Sequence, residues 1–171
     1  MSVEILSPRS DVIFKLFFSD ERNIELLTDF LKAVLDIPAD EYDEVSIIDP
    51  HLLREHPADK LGILDVKLKT KTGKIINIEI QVSPSDTMQE RIIYYGAKLI
   101  TEQLGKSDDY ENIKRVISII VTDYPMLEES PSYHHRFILY DPVNKVAFSN
   151  MLEVNTLELP KLPSDSDGTM R

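Results

Sequence analysis

The chain has no cysteine and no tryptophan among its 171 residues, and only five glycines. Without cysteine there are no disulfides, no Cys-based zinc sites and no thiol nucleophile, which fits a reducing compartment. Scarce glycine leaves no Gly-rich phosphate loop, and no Ser-centred nucleophile motif takes its place. No apolar run approaches the roughly 18 residues of a membrane span. Met1-Ser2-Val3-Glu4 opens no basic leader of a signal peptide, so the expected location is cytoplasmic, with no membrane partner. Positive charge is also in short supply: 19 Lys and Arg stand against 30 Asp and Glu, a formal net charge of −11. That balance opposes binding to a polyanion, whose affinity comes largely from Lys and Arg displacing counterions. What is present is 42% hydrophobic residues, enough for one globular domain with a real core.

Two alternating runs stand out. In Ile63–Lys69, Leu64, Val66 and Leu68 share one face, while Asp65, Lys67 and Lys69 share the other. In Ile75–Gln81, Ile76, Ile78 and Ile80 oppose Asn77, Glu79 and Gln81. Lys71-Thr72-Gly73 joins the runs as a three-residue hairpin loop whose last position requires φ > 0, which glycine adopts cheaply. Pairing Thr70 with Lys74 then aligns Leu64 with Ile80, Val66 with Ile78 and Leu68 with Ile76, and sets Asp65 directly across from Glu79. A slip of one residue would mix the faces. Two opposed carboxylates repel, at a cost of ~0.2–1 kcal/mol. Two readings are open: water, Lys67 and Lys69 screen the pair on a solvated face, or a hard cation such as Mg2+ sits between the carboxylates.

The motifs resemble a family. An Asp, a short hairpin and Glu-x-Gln (Asp65, then Glu79-Ile80-Gln81) is similar to the signature of PD-(D/E)XK nucleases. Asp11-Val12-Ile13-Phe14-Lys15, Asp59 to Val66, Asn77 to Gln81 and Arg91-Ile92-Ile93-Tyr94-Tyr95, in that order, resemble its recombination-promoting nuclease and putative transposase branch from about Asp11 to Leu162. The resemblance implies Mg2+-dependent hydrolysis of DNA phosphodiester bonds, with Mn2+ as a substitute ion and an association with recombination or mobile elements. It assigns Asp65 and Glu79 to the metal, with the Ile80 carbonyl as a further ligand, and Asp65, Glu79, Gln81 and Asp11 to catalysis. Gln81 departs from the commoner lysine; an amide can orient a water or a phosphate oxygen but carries no charge and takes no proton. Lys15, Lys67, Arg91 and Tyr95 are assigned to nucleic acid. Asp11 has a second reading as a helix-dipole partner after the N-cap candidate Ser10, and Arg91 with Tyr95 has one as a surface Arg stacked on a Tyr one turn away. DNA is the implied partner, and a homodimer is compatible with it.

Charge distribution tempers the acidic total. Lys60, Lys67, Lys69, Lys71 and Lys74 face Asp65 alone between positions 60 and 74, while acids gather at Asp36 to Asp49 and Asp108 to Glu111. The hairpin is therefore locally basic, and weak, salt-sensitive DNA binding is expected. The remaining order reads as helices at Asp11–Phe18 and Glu21–Leu35, a strand at Val45–Ile48, a helix from about Asp86 to Leu104, a buried strand at Val116–Val121, and a hairpin of Arg136–Tyr140 with Lys145–Ser149. This order is similar to the restriction-endonuclease-like αβββαβ core of the superfamily, and the resemblance implies an α/β fold with a mixed central sheet flanked by helices. Residues 1–162 are expected to form the nuclease-like domain and 163–171 a disordered tail. His134 and His135, adjacent on a strand, point to opposite sides and suit no shared metal. Alongside the endonuclease stand a nuclease fold that binds DNA without cutting it and an acidic protein-interaction module.

Overall fold

The structure, a computed structural model, describes residues 11–52 and 62–163. His56, the Asp59-Lys60-Leu61 stretch of one motif and the tail from 164 lie outside the described residues.

The hairpin loop closes as its sequence dictates. Gly73 adopts φ +92°, its N–H donates to the Thr70 carbonyl at 2.9 Å, and the Thr70 N–H donates to the Lys74 carbonyl at 3.0 Å. Strands β2 (Val66–Lys69) and β3 (Ile75–Gln81) therefore pair Val66 with Ile78, Lys67 with Asn77, Leu68 with Ile76 and Lys69 with Ile75, the expected register. A buried acid clamps the turn from below. Glu41, in a short 3-10 helix at Ala39–Glu44, accepts hydrogen bonds from the Thr70 and Thr72 hydroxyls at 2.6 and 2.7 Å and pairs with the Lys74 ammonium.

Strand β1 (Ser46–Ile48) flanks β2, and β4 (Val116–Thr122) runs parallel to β3 after the crossover helix α3 (Met88–Thr101). With β5 (His134–Asp141) and β6 (Val146–Glu158), the mixed sheet has the order β1-β2-β3-β4-β6-β5. Strand β6 is far longer than the Lys145–Ser149 segment expected. Its second half, Leu152–Glu158, pairs parallel to β4 and is buried too deeply to show the alternation of a half-exposed strand. Helices α1 (Asp11–Phe18) and α2 (Ile24–Val34) cover one face, where Phe14, Leu27 and Leu31 meet Ile76, Ile78, Ile117 and Ile119. Each such side chain contributes roughly 1.5–3 kcal/mol by leaving water. Helix α3 covers the other face and lies close to β6: a Cβ on Gly96 would stand 2.6 Å from Leu152 Cδ1. The result is an α/β fold with the αβββαβ core, extended by the β5–β6 pair.

Two expectations about the hairpin need correction. The middle of the polar face is not solvated, because α3 packs over it and buries Lys67, Asn77 and Glu79, while Lys69 stays exposed. The ladder also stops at Val66–Ile78, and the chain bends at Asp65. Leu64 consequently turns to the α3 side with Leu52 and Leu99 instead of joining Ile80, and its N–H donates to the Pro50 carbonyl at 3.0 Å.

Two measurements test this frame. Gly73→Ala places a side chain at positive φ, so equilibrium urea unfolding should show a loss of about 1–2 kcal/mol; an unchanged midpoint would contradict the turn. The Glu41 carboxyl is held down at about 2 because the Lys74, Thr70 and Thr72 hydrogen bonds outweigh the opposing effect of burial. A carboxyl lowered on folding contributes stability above its ordinary value near 4.5, and that contribution is lost as pH falls towards 2. Glu41→Gln should therefore cost on the order of 1.5–3 kcal/mol at pH 7, with the gap to wild type closing between pH 4.5 and 2.

Candidate active site

Four chain segments deliver side chains to one cleft. Strand β3 brings Glu79 and Gln81 to its C-terminal end, the bend before β2 brings Asp65, α1 brings Lys15, and α3 brings Arg91 and Tyr95 one turn apart. The cleft encloses about 310 Å3. The C-terminal ends of parallel strands are where open α/β sheets bind ligands.

Asp65 is pinned by both carboxylate oxygens. Its Oδ2 accepts the Ile80 N–H at 2.9 Å, and its Oδ1 lies 3.0 Å from the Lys15 ammonium. The bend thus trades a ladder pair for a side chain that bonds the neighbouring strand's backbone. Phe14 and Phe18, packed ring to ring at 4.5 Å, seat α1 so that Lys15 faces the cleft.

Glu79 is 5% exposed, and its Oε1 has no hydrogen-bond partner. Its Oε2 lies 3.9 Å from an Arg91 guanidinium nitrogen. Burial raises its carboxyl to about 7, the nearby Asp65 charge adds to the rise, and Arg91, the Asn77 amide and the Asp65 N–H oppose it. Arg91 is held in turn over the Tyr95 ring, 5.9 Å from its centroid.

A hard divalent cation fits this donor set. Among the described residues no three His, Cys, Asp or Glu side chains converge, but Mg2+ typically takes one or two carboxylates and fills its octahedron with water and substrate oxygen. The unpartnered Glu79 Oε1, held beside a second carboxylate, is the kind of atom a cation satisfies. Lys15 supplies one positive charge there already.

Of the residues singled out in the sequence, Asp65, Glu79, Gln81, Lys15, Arg91 and Tyr95 come together. Lys67 does not. It is 8% exposed and its ammonium pairs with Glu102, so it offers no cation to a phosphate. Asp11 opens α1, but its side chain lies outside the described residues. Asn77, placed by the sequence on the polar face but given no role, is 1% exposed, and its amide opposes the rise of the Glu79 carboxyl. Its place two residues before Glu79, on the same strand face, was the available signal. His134 and His135 diverge as expected, His134 to Asn155 at 3.0 Å and His135 to Ser130 at 2.6 Å.

A sheet whose antiparallel pair sends an Asp and a Glu-x-Gln into one cleft, beneath flanking helices, defines a nuclease-type α/β core. The chain belongs to the PD-(D/E)XK nuclease family transposases, whose family model matches residues 8–169. No curated protein and no solved structure matches it. Membership carries a nuclease-related role with DNA as the implied substrate and, in general, divalent-metal use; it lends the homodimer no support. No helix among the described residues is long and apolar enough to cross a membrane.

Glu79 gives this site a stability signature. A carboxyl raised on folding binds its proton more tightly in the folded state, so stability falls as pH rises from 4.5 through about 7. Glu79→Gln should make the metal-free protein more stable than wild type at pH 8, by on the order of 2–3 kcal/mol, with no gain below pH 4.5. Urea unfolding at several pH values reads this, and a variant less stable at pH 8 would refute it.

Proposed function

We propose that the protein is a Mg2+-dependent DNA endonuclease hydrolysing phosphodiester bonds, associated with recombination or mobile elements. The observation that carries this reading is the buried, partnerless Oε1 of Glu79 in a cleft it shares with Asp65. Asp65 and Glu79 would hold the ion, with the Ile80 carbonyl beside them. Bound there, a divalent cation lowers the pKa of water and offsets charge on the phosphate. Gln81 orients a water or a phosphate oxygen through its amide. Arg91, fixed by Tyr95 and Glu79, balances the carboxylates and faces the phosphate. Helix α3, packed over the sheet, closes the side of Glu79 away from the cleft, so that ion, water and phosphate reach it from the cleft alone.

Few cations are open to DNA on the hairpin, since Lys67, Lys71 and Lys74 pair with Glu102, Asp43 and Glu41. Binding is accordingly weak and salt-sensitive.

A second reading, a nuclease fold that binds without cutting, draws on the Lys15–Asp65 pair, which already neutralises one carboxylate. Plasmid nicking with Mg2+ or Mn2+ separates the two. Wild type should nick; Asp65→Ala and Glu79→Ala should each fall by roughly 100-fold or more, and Gln81→Ala by about tenfold. Cleavage that survives either carboxylate change removes the assigned site. A wild type inert with both ions, yet retaining DNA, selects the second reading.

A further inference from the structure

Resting on the nuclease reading, we infer that Lys15 supplies from α1 the catalytic cation that Gln81 cannot supply from β3. The cleft holds an amide at the motif position where a charge would act, and an ammonium enters the same cleft from another element. Lys15 lines the cleft with Asp65, Glu79 and Gln81, and its Nζ lies 3.0 Å from Asp65 Oδ1. The lysine side chain is 45% exposed while the Asp65 side chain is 8% exposed, so the ammonium caps the carboxylate from the solvent side, where a phosphate enters. Its backbone is fixed: the Lys15 carbonyl accepts the Ser19 N–H at 2.9 Å and also the Ser19 hydroxyl, and Phe14 is buried in the core next to it.

The role is electrostatic. Hydrolysis forms one bond from a water oxygen to phosphorus and breaks the phosphorus–oxygen bond to one sugar; a water proton leaves to solvent and the departing oxygen takes one from it. Charge accumulates on the phosphate oxygens meanwhile, and a positioned ammonium stabilises it. Lys15 acts by donating hydrogen bonds to those oxygens, and as an ammonium it has no acceptor site and takes no proton from the water. In the metal-free protein the same ammonium offsets Asp65; with metal and DNA bound it turns from that carboxylate to the phosphate.

Plasmid nicking and calorimetric Mn2+ titration test this together on Lys15→Ala, Lys15→Arg, Gln81→Lys and the double variant Lys15→Ala/Gln81→Lys. Lys15→Ala should lose about 100-fold in cleavage, yet bind Mn2+ about two- to fivefold more tightly, because a competing charge is gone from Asp65. Lys15→Arg should stay within about tenfold of wild type, and the double variant should recover at least about tenfold over Lys15→Ala, since either change restores a cation to the cleft. A lysine that merely holds the fold would give neither the tighter ion binding nor the rescue. A wild type that nicks while Lys15→Ala nicks equally overturns this assignment alone, as does a double variant no better than Lys15→Ala. A wild type that never nicks overturns it together with the endonuclease reading.

Discussion

A carboxylate with one oxygen buried and left without a hydrogen-bond partner, next to a second carboxylate, is the constraint around which the site is organised. Glu79 is desolvated by α3, repelled by Asp65 and only partly compensated by Arg91, Asn77 and a backbone N–H. A protein selected for stability alone would gain by replacing it with an amide or an apolar side chain. Retaining such a group is a familiar sign of a functional site, where local instability is offset by the rest of the fold. Here the offset comes from a sheet whose central strands are buried on both faces and from a hairpin clamped at its turn by Glu41.

The bend at Asp65 converts that frame into a site. Were the ladder to continue, Asp65 would occupy a regular cross-strand position, with the Ile80 N–H facing a strand backbone. Instead the Ile80 N–H takes the Asp65 carboxylate as its acceptor. One backbone donor thereby remains satisfied while an acidic side chain is locked at the mouth of the cleft. The same bend turns Leu64 into the α3-side core, so the departure from regular pairing costs little apolar burial.

Much of this was legible in the sequence because it rests on local rules. The turn glycine and the matched apolar faces specify the β2–β3 register, and an unbroken Val-Ile-Ser-Ile-Ile-Val run announces the buried strand β4. The convergence of Lys15, Asp65, Glu79, Gln81, Arg91 and Tyr95 came from ordered motifs rather than from any one spacing. What escaped depends on tertiary contacts. The alternation of the hairpin cannot say that its polar face lies beneath α3, nor that Lys67 is consumed by Glu102 from the far end of that helix. The second half of β6 also escaped: it carries the buried Glu153, Asn155 and Glu158, whose burial is explained only by Arg115, Arg136, Lys161 and backbone donors brought from other parts of the chain. An acidic composition likewise conceals that the cleft itself is lined by both signs of charge.

The most direct test of the central claim is a crystal grown with Mn2+, with the ion located by its anomalous scattering. The account predicts a peak at about 2.0–2.3 Å from one oxygen each of Asp65 and Glu79, with water filling the remaining positions. Carboxylates turned to opposite sides of the sheet, or an ion bound elsewhere with this cleft empty, would contradict it.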